Sequence, residues 1–151
     1  MLRELQLLRA LDGADRRLLG AALGWVLVVR AVLHAPGRSF VKKQAALDAL
    51  ARSLPGLPSC TPSAAYWAVT AASKRVPGTV CLPWALALKG LLAQSGRQAE
   101  LRIGVAPRAT PDLPLDAHAW LECDGQQLSW GTPVDGYDLL RARPRPVSEQ
   151  A

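Results

Sequence analysis

The chain has 151 residues, with 18 Lys plus Arg against 12 Asp plus Glu and a formal net charge of +6. This length suits one domain, because single hydrophobic cores commonly grow to ~100–150 residues. It excludes a protein kinase, a TIM barrel and a dinucleotide-binding enzyme with a separate substrate domain. Half of the residues are apolar, which excludes a disordered chain. The basic residues are spread along the sequence, so we expect no nucleic-acid partner.

The three cysteines, Cys60, Cys81 and Cys123, indicate a reducing compartment, because so small and odd a number does not build a disulfide framework. They lack C-x-x-C spacing, so we expect no metal site. The sequence also contains no P-loop and no G-x-G-x-x-G motif, and we expect no cofactor. The apolar run 18–29 is too short to cross a bilayer, which needs ~20 residues, and it lacks a signal-peptide cleavage site. We therefore expect a cytoplasmic protein with this run in a buried helix; association with a membrane surface is the weaker alternative.

Helical patterns fill the first two-thirds of the sequence. Longer helices are predicted over 15–34, 39–54, 61–75 and 81–95, after a short helix or strand over 2–11. Side-chain caps are available at Asp12 or Asp15, at Ser39 and at Thr61. Proline or glycine follows each of the longer helices, which is where these residues end helices.

The period then changes, and apolar and polar residues alternate as they do in strands. Strands are predicted over 99–105, 117–123 and 126–130. A Pro-rich loop is predicted over 106–115, and Asp124-Gly125 is a hairpin turn signal. Helices followed by a small antiparallel sheet indicate an α+β fold. We expect one domain over 1–140 and a loose tail over 141–151.

Cys81 lies where the last helix is predicted to begin, two residues before Pro83. The first amide groups of a helix have no backbone partners, and the helix dipole favours negative charge there. The position therefore favours a thiolate, the nucleophilic form of cysteine. The same amides can bind an oxyanion formed on attack. The alternative is a buried structural cysteine, which is the commoner role of this residue.

His118 lies in the middle of the predicted strand 117–123, and alternation places Asp116, His118 and Trp120 on one face. A cysteine at a helix start followed by a histidine on a strand is the layout of the Cys–His pair in papain-like and transglutaminase-like enzymes. There the histidine takes the thiol proton and later protonates the leaving amine. The alternative is a half-buried histidine without a catalytic role. Trp120 is placed to shield the pair from water, whereas Cys123 faces the other side and is expected to be a packing residue.

The segments around these two residues resemble a known family. They are ADRRLL over 14–19, RVPGTVCLPWALAL over 75–88, AELRIGV over 99–105 and HAWLE over 118–122. In this order and spacing they are similar to the transglutaminase-like cysteine peptidases of lasso-peptide biosynthesis, the B proteins that remove the leader from a precursor peptide. The resemblance covers residues 14–130.

This resemblance implies a peptidase that cuts a ribosomally made precursor between leader and core, with Cys81 as nucleophile and His118 as base and then acid. It also implies three partners: the precursor with its leader, a separate leader-binding protein, and an asparagine-synthetase-like cyclase that uses ATP. The segment before Cys81 has the pattern of a helical scaffold and not of a fused leader-binding domain, so the chain resembles the split form. Another transglutaminase-like amide hydrolysis or acyl transfer, and a non-catalytic basic adaptor, are the alternatives.

One position departs from the family pattern. The family supplies an acid from the return strand to orient the histidine, and Trp130 occupies that position here. Asp135 is the expected substitute, because a group from a separate segment can approach the far ring nitrogen of His118. Asp116, a dyad without an acid and an inactive paralogue are alternatives. Asp124 at the hairpin tip is a poor candidate, since a strand rise of ~3.3 Å per residue places it roughly 20 Å away.

Overall fold

The computed structural model describes residues 11–110 and 113–140. Four helices come first: α1 (Gly13–His34), α2 (Phe40–Ser53), α3 (Pro62–Ser73) and α4 (Cys81–Gln94). Four strands follow: β1 (Glu100–Thr110), β2 (Leu113–Cys123), β3 (Gln126–Leu128) and β4 (Asp138–Leu139). They form one antiparallel sheet in the order β3-β2-β1-β4. The α+β fold predicted from the sequence is confirmed.

Side-chain caps begin the first three helices. In each helix a side-chain oxygen accepts a hydrogen bond from the amide three residues later, and the capping residues are Asp12, Ser39 and Thr61. Each cap satisfies one of the amides that a helix start leaves without a partner. α4 differs from the other three helices, because Val80 at its N-cap position makes no side-chain hydrogen bond.

α4 is the central helix of the fold. It contacts α1, α2, α3, β1 and β2 and is buried along most of its length, which explains why its sequence is apolar on nearly every side. α1 crosses it closely at Gly90, where a Cβ atom would lie 2.4 Å from the ring of Trp25. The Trp25 indole donates to Gln94 Oε1 at 2.9 Å, which anchors α1 to the end of α4.

α1 extends well beyond the apolar run 18–29. In the described part of the chain it is the one helix long and apolar enough to cross a membrane by length and composition, a test that core helices also pass. The structure buries one face of α1 in the core, at Ala22, Trp25, Val26 and Val29. The predicted buried helix is confirmed on this face, whereas Leu23 and Leu27 on the outer face are exposed.

The Pro-rich stretch 106–115 was wrongly predicted to be a loop. β1 extends to Thr110 and β2 begins at Leu113, and the two strands pair as far as these residues, with an irregular register after Pro107. The residue before a proline favours extended backbone, and proline is tolerated at strand edges and bulges because it donates no ladder hydrogen bond. The two strands therefore form a longer hairpin than the alternation pattern predicts.

The return strand β3 ends at Leu128, before the predicted end at residue 130. A fourth strand, which the sequence did not predict, pairs with β1 at Gly104 and Val105. Its two residues are too few to produce an alternation pattern. Because β3 and β4 lie at opposite edges of the sheet, the segment 129–137 must pass from one edge to the other.

Two further predictions concern the ends of the chain. Most of the predicted element over 2–11 and the whole tail over 141–151 lie outside the described residues. The domain limits 1–140 stay a prediction.

Candidate active site

Cys81 is the first residue of α4 and is partly exposed, and the Val80 side chain before it is 60% exposed. The amide of Trp84 donates to the Val80 carbonyl, and Pro83 has no amide hydrogen. The amides of Cys81 and Leu82 are therefore the donors without a partner at this helix start, among the residues that the structure describes. The helix start predicted at Cys81 is confirmed.

The turn that leads into Cys81 is held from two sides. Gly78 has a φ of +75°, a left-handed conformation that glycine adopts without a steric penalty. Its carbonyl accepts a hydrogen bond from Arg30 Nη1 at 2.9 Å, which ties the turn to α1. Within the turn, the buried hydroxyl of Thr79 donates to the carbonyl of Val76 at 2.9 Å. These contacts set the direction in which the chain enters α4.

His118 lies in the middle of β2, paired with Gly104 of β1, and only 5% of it is exposed. Its neighbour Ala119 belongs to the core beneath the helices. Strand alternation therefore directs His118 to the other face of the sheet, together with Asp116 and Trp120. This shared face is the one that the sequence predicts.

Two aromatic rings pack beside the imidazole of His118. Trp120 stacks with it at a centroid distance of 6.2 Å, and Tyr137 lies at 5.4 Å with a tilted ring. Gly104 provides the space, since a Cβ atom there would lie 2.8 Å from the Trp120 ring and 2.9 Å from Tyr137 Cβ. The Tyr137 hydroxyl also donates to Asp116 Oδ2 at 2.8 Å. The imidazole is thus enclosed by rings that restrict its rotation and exclude water.

The hydrogen-bond partner of His118 is a residue that the sequence did not single out. Ser129 Oγ lies 2.7 Å from His118 Nε2 and 2.6 Å from the carbonyl oxygen of Thr132. The backbone carbonyl of Ser129 accepts a hydrogen bond from the hydroxyl of Tyr66 at 3.1 Å. The one available signal was its place next to Trp130, where the resembling family has an acid.

Burial is the main influence on the imidazole of His118 and lowers its pKa below the ordinary value. The negative charge of Asp116 and the carbonyl of Thr132 raise the same pKa, but burial outweighs them. Since the pKa of an exposed histidine is ~6.5, His118 is neutral at pH 7. A neutral imidazole has one nitrogen that can accept a proton.

A chain of contacts joins the first turn of α4 to His118. Trp84 in that turn stacks on Trp130 with ring centroids 6.3 Å apart and meets Tyr66 edge-on at 5.3 Å. Trp130 follows Ser129 in sequence, and Tyr66 binds the Ser129 carbonyl. Ser129 in turn binds the imidazole. The start of α4 and the buried histidine therefore belong to one contact network.

The two candidate acids have different surroundings. Asp135 is exposed, in the segment between β3 and β4, and lines a surface cavity of about 510 Å³ that Ser129 also lines. Asp116 acts on the pKa of His118 through its charge. Within residues 11–110 and 113–140, no hydrogen bond joins His118 to Cys81 or to Asp135. Cys81, His118 and Asp135 as a catalytic set stay a prediction.

The remaining sequence-predicted residues have packing roles. Trp130, at the position of the family acid, lies against the core. Cys123 is 2% exposed, and burial followed by the charge of Asp124 raises the pKa of its thiol.

In the part of the chain that the structure describes, no three His, Cys, Asp or Glu side chains converge on a metal position.

Comparison with known proteins adds one finding. The family model of the transglutaminase-like superfamily matches residues 21–142, a range that contains Cys81, His118 and the segment 129–137. No curated protein and no solved structure matches the chain.

Proposed function

The chain belongs to the transglutaminase-like superfamily, and from this membership we propose that it is a cysteine peptidase that uses Cys81 and His118. The superfamily includes cysteine peptidases. The environment of His118 is the observation that carries the proposal. The imidazole is buried, its pKa is lowered by that burial, and one of its ring nitrogens is hydrogen-bonded to Ser129. Such a group is suited to take a proton from a thiol. Because His118 lies on the sheet face away from the helices, the proposal requires that the Cys81 thiol at the start of α4 come within hydrogen-bonding reach of the free ring nitrogen.

The proposed reaction has two stages. His118 accepts the thiol proton of Cys81, and the thiolate attacks the scissile carbonyl, so that a carbon–sulfur bond forms and negative charge develops on the carbonyl oxygen. The partnerless amides of Cys81 and Leu82 are the donors available for this oxyanion. His118 then gives its proton to the leaving amine, and the carbon–nitrogen bond breaks.

An acyl-enzyme remains after the first stage. His118, now neutral again, takes a proton from water, whose oxygen attacks the thioester carbonyl. The carbon–sulfur bond breaks, the acid product leaves, and the proton returns to the Cys81 sulfur. Each stage uses the imidazole once as base and once as acid, so a single buried histidine is sufficient for proton transfer.

We propose further that the substrate is a lasso-peptide precursor, cut between leader and core. The support is the similarity of the segments around Cys81 and His118 to the B proteins of lasso-peptide biosynthesis. A separate leader-binding protein presents the leader, and an asparagine-synthetase-like cyclase uses the freed amino terminus of the core. The reaction takes place in the bacterial cytoplasm, where such a precursor is made.

A cleavage assay tests this function. The purified protein is mixed with the precursor and leader-binding protein encoded beside its gene, and products are followed by mass spectrometry. We expect release of leader and core, and a loss of roughly 10³-fold or more in rate for Cys81→Ala and for His118→Ala. Cys60→Ala is the matched control and keeps its activity. Undiminished cleavage by Cys81→Ala would exclude the proposed nucleophile.

Acyl transfer is the second candidate, because transglutaminases share the superfamily. The same acyl-enzyme would then react with a primary amine in place of water. Adding a small primary amine to the assay separates the two reactions. A peptidase yields the free acid as the main product, whereas a transferase yields the amide.

A further inference from the structure

The hydroxyl of Ser129 makes two short contacts, and one placement of its hydrogen satisfies both. Ser129 Oγ lies 2.6 Å from the carbonyl oxygen of Thr132 and 2.7 Å from His118 Nε2. A carbonyl oxygen accepts hydrogen bonds and cannot donate, so the hydroxyl hydrogen points to Thr132. Ser129 Oγ is then an acceptor toward the imidazole, and the hydrogen between them belongs to Nε2.

From this geometry we propose that Ser129, polarised by the Thr132 carbonyl, is the positioning residue of His118 in place of an acid. The pair holds the neutral imidazole in the tautomer with its hydrogen on Nε2, which makes Nδ1 the nitrogen that accepts a proton. In a neutral imidazole one nitrogen donates and the other accepts. The catalytic consequence rests on the proposed function, in which His118 deprotonates Cys81.

The two candidate acids, Asp116 and Asp135, do not occupy this position. Asp116 Oδ2 accepts the hydrogen of the Tyr137 hydroxyl at 2.8 Å, and Asp135 is exposed. Trp130, at the place of the family acid, stacks on Trp84. Ser129 is therefore the side chain that the fold brings to Nε2.

A hydroxyl differs from a carboxylate in one chemical respect. Both accept a hydrogen bond from Nε2, but the hydroxyl carries no negative charge to stabilise an imidazolium. His118 consequently rests as a neutral base and not as half of a thiolate–imidazolium pair. The lowered pKa of His118 agrees with this resting state.

Other contacts hold Ser129 and the imidazole of His118 in position relative to each other. Tyr66 holds the Ser129 backbone through its carbonyl at 3.1 Å. Trp120 and Tyr137 pack beside the imidazole. Packing thus sets the plane of the ring, and the hydrogen bond that Nε2 donates to Ser129 Oγ selects which nitrogen carries the hydrogen.

Nitrogen-15 NMR of the full-length protein at pH 8 tests the tautomer without any substrate. The chain has two histidines, and His34→Gln assigns the signals. His34 Nδ1 lies 2.8 Å from the carbonyl oxygen of Arg30, so His34 favours the opposite tautomer and serves as an internal reference. We expect hydrogen on Nε2 of His118, retained in Ser129→Thr and partly lost in Ser129→Ala. A wild-type His118 with its hydrogen on Nδ1 would overturn the proposal.

Kinetics test the catalytic consequence. We expect Ser129→Ala to lower kcat by roughly 10- to 10²-fold with little change in KM, since the ring is less well oriented, and Ser129→Thr to restore most of the rate. Ser129→Asp places a carboxylate at Nε2, so the acid limb of the kcat/KM profile should move to higher pH. An unchanged kcat and pH profile in Ser129→Ala would remove the positioning role.

The two experiments separate failure of this inference from failure of the proposed function. A wild-type protein that shows the expected tautomer but cleaves no precursor leaves the Ser129–His118 assignment intact and contradicts the peptidase. Active wild-type protein with the wrong tautomer contradicts only the positioning role. Circular dichroism of each variant identifies any loss of fold. The tautomer of His118 is measured in the wild-type protein, so that result does not depend on a variant folding.

Discussion

The indole of Trp130 stacks on the indole of Trp84 with ring centroids 6.3 Å apart, which joins the segment 129–137 to the first turn of α4. This contact links the two elements that carry the proposed nucleophile and the partner of the proposed base. Trp130 occupies the position of the family acid but accepts no hydrogen bond from His118. Its stacking instead positions the backbone next to Ser129. Ser129, one residue earlier, then takes over the contact with the imidazole.

Replacing Trp130 by Ala is expected to lower the free energy of unfolding by about 2–4 kcal/mol, less than the cost for a fully buried Trp because Trp130 is half-buried. Urea unfolding followed by circular dichroism measures the change. Trp67→Ala is the matched control, since Trp67 on α3 is 41% exposed and should cost less than about 1 kcal/mol. Equal losses in the two variants would show that the Trp84–Trp130 contact contributes little.

The three cysteines are expected to react with iodoacetamide at pH 7 in the order Cys81, Cys60, Cys123. Cys81 is partly exposed, and in the proposed mechanism His118 takes its proton, whereas the partly exposed Cys60 donates its thiol hydrogen to Ser95 Oγ. Cys123 is buried, and its raised pKa keeps it as a thiol. Mass spectrometry of peptides taken over time gives the three rates, and Cys81 should exceed Cys60 by at least ~10-fold.

Equal rates at Cys81 and Cys60 would favour the non-catalytic adaptor. Urea provides the control for reactivity in the unfolded chain, where the differences among the three thiols should disappear.

As the pH is lowered, we expect the rate of cleavage to fall only below the ordinary pKa of histidine, because burial lowers the pKa of His118. Asp116→Asn removes a negative charge that raises this pKa, so the acid limb should move to still lower pH. Asparagine keeps an oxygen for the Tyr137 hydroxyl and so preserves that contact. The measurement is kcat/KM against pH, and a limb that moves to higher pH in Asp116→Asn would contradict the assigned sign.

Gly104→Ala is expected to destabilise the protein by about 1–3 kcal/mol and to slow cleavage. Its Cβ atom would lie 2.8 Å from the Trp120 ring and would push apart the rings that enclose His118. Gly20→Ala on α1 is the control, since nothing lies within 4 Å of that position and alanine favours a helix by about 0.5–1 kcal/mol. Thermal unfolding of both variants is the measurement: the melting temperature should fall for Gly104→Ala and rise for Gly20→Ala.

Much of the fold follows from signals that act over a few residues. The caps Asp12, Ser39 and Thr61 each bind an amide three residues away, so the helix starts are visible in the sequence. Strand alternation likewise places His118 and Trp120 on one face before any tertiary contact is known. Local hydrogen bonding and side-chain period need no knowledge of where the rest of the chain goes.

The partners of His118 depend instead on the path of the segment 129–137 between opposite edges of the sheet. Ser129 and Tyr137 reach His118 and Asp116 because β3 and β4 lie on opposite sides of the β1–β2 hairpin. No local pattern marks such contacts, since a two-residue strand has no period and a serine in a loop has no typical partner. Local chemistry thus established the helices and the face that carries the histidine, and long-range packing selected the hydroxyl that holds it.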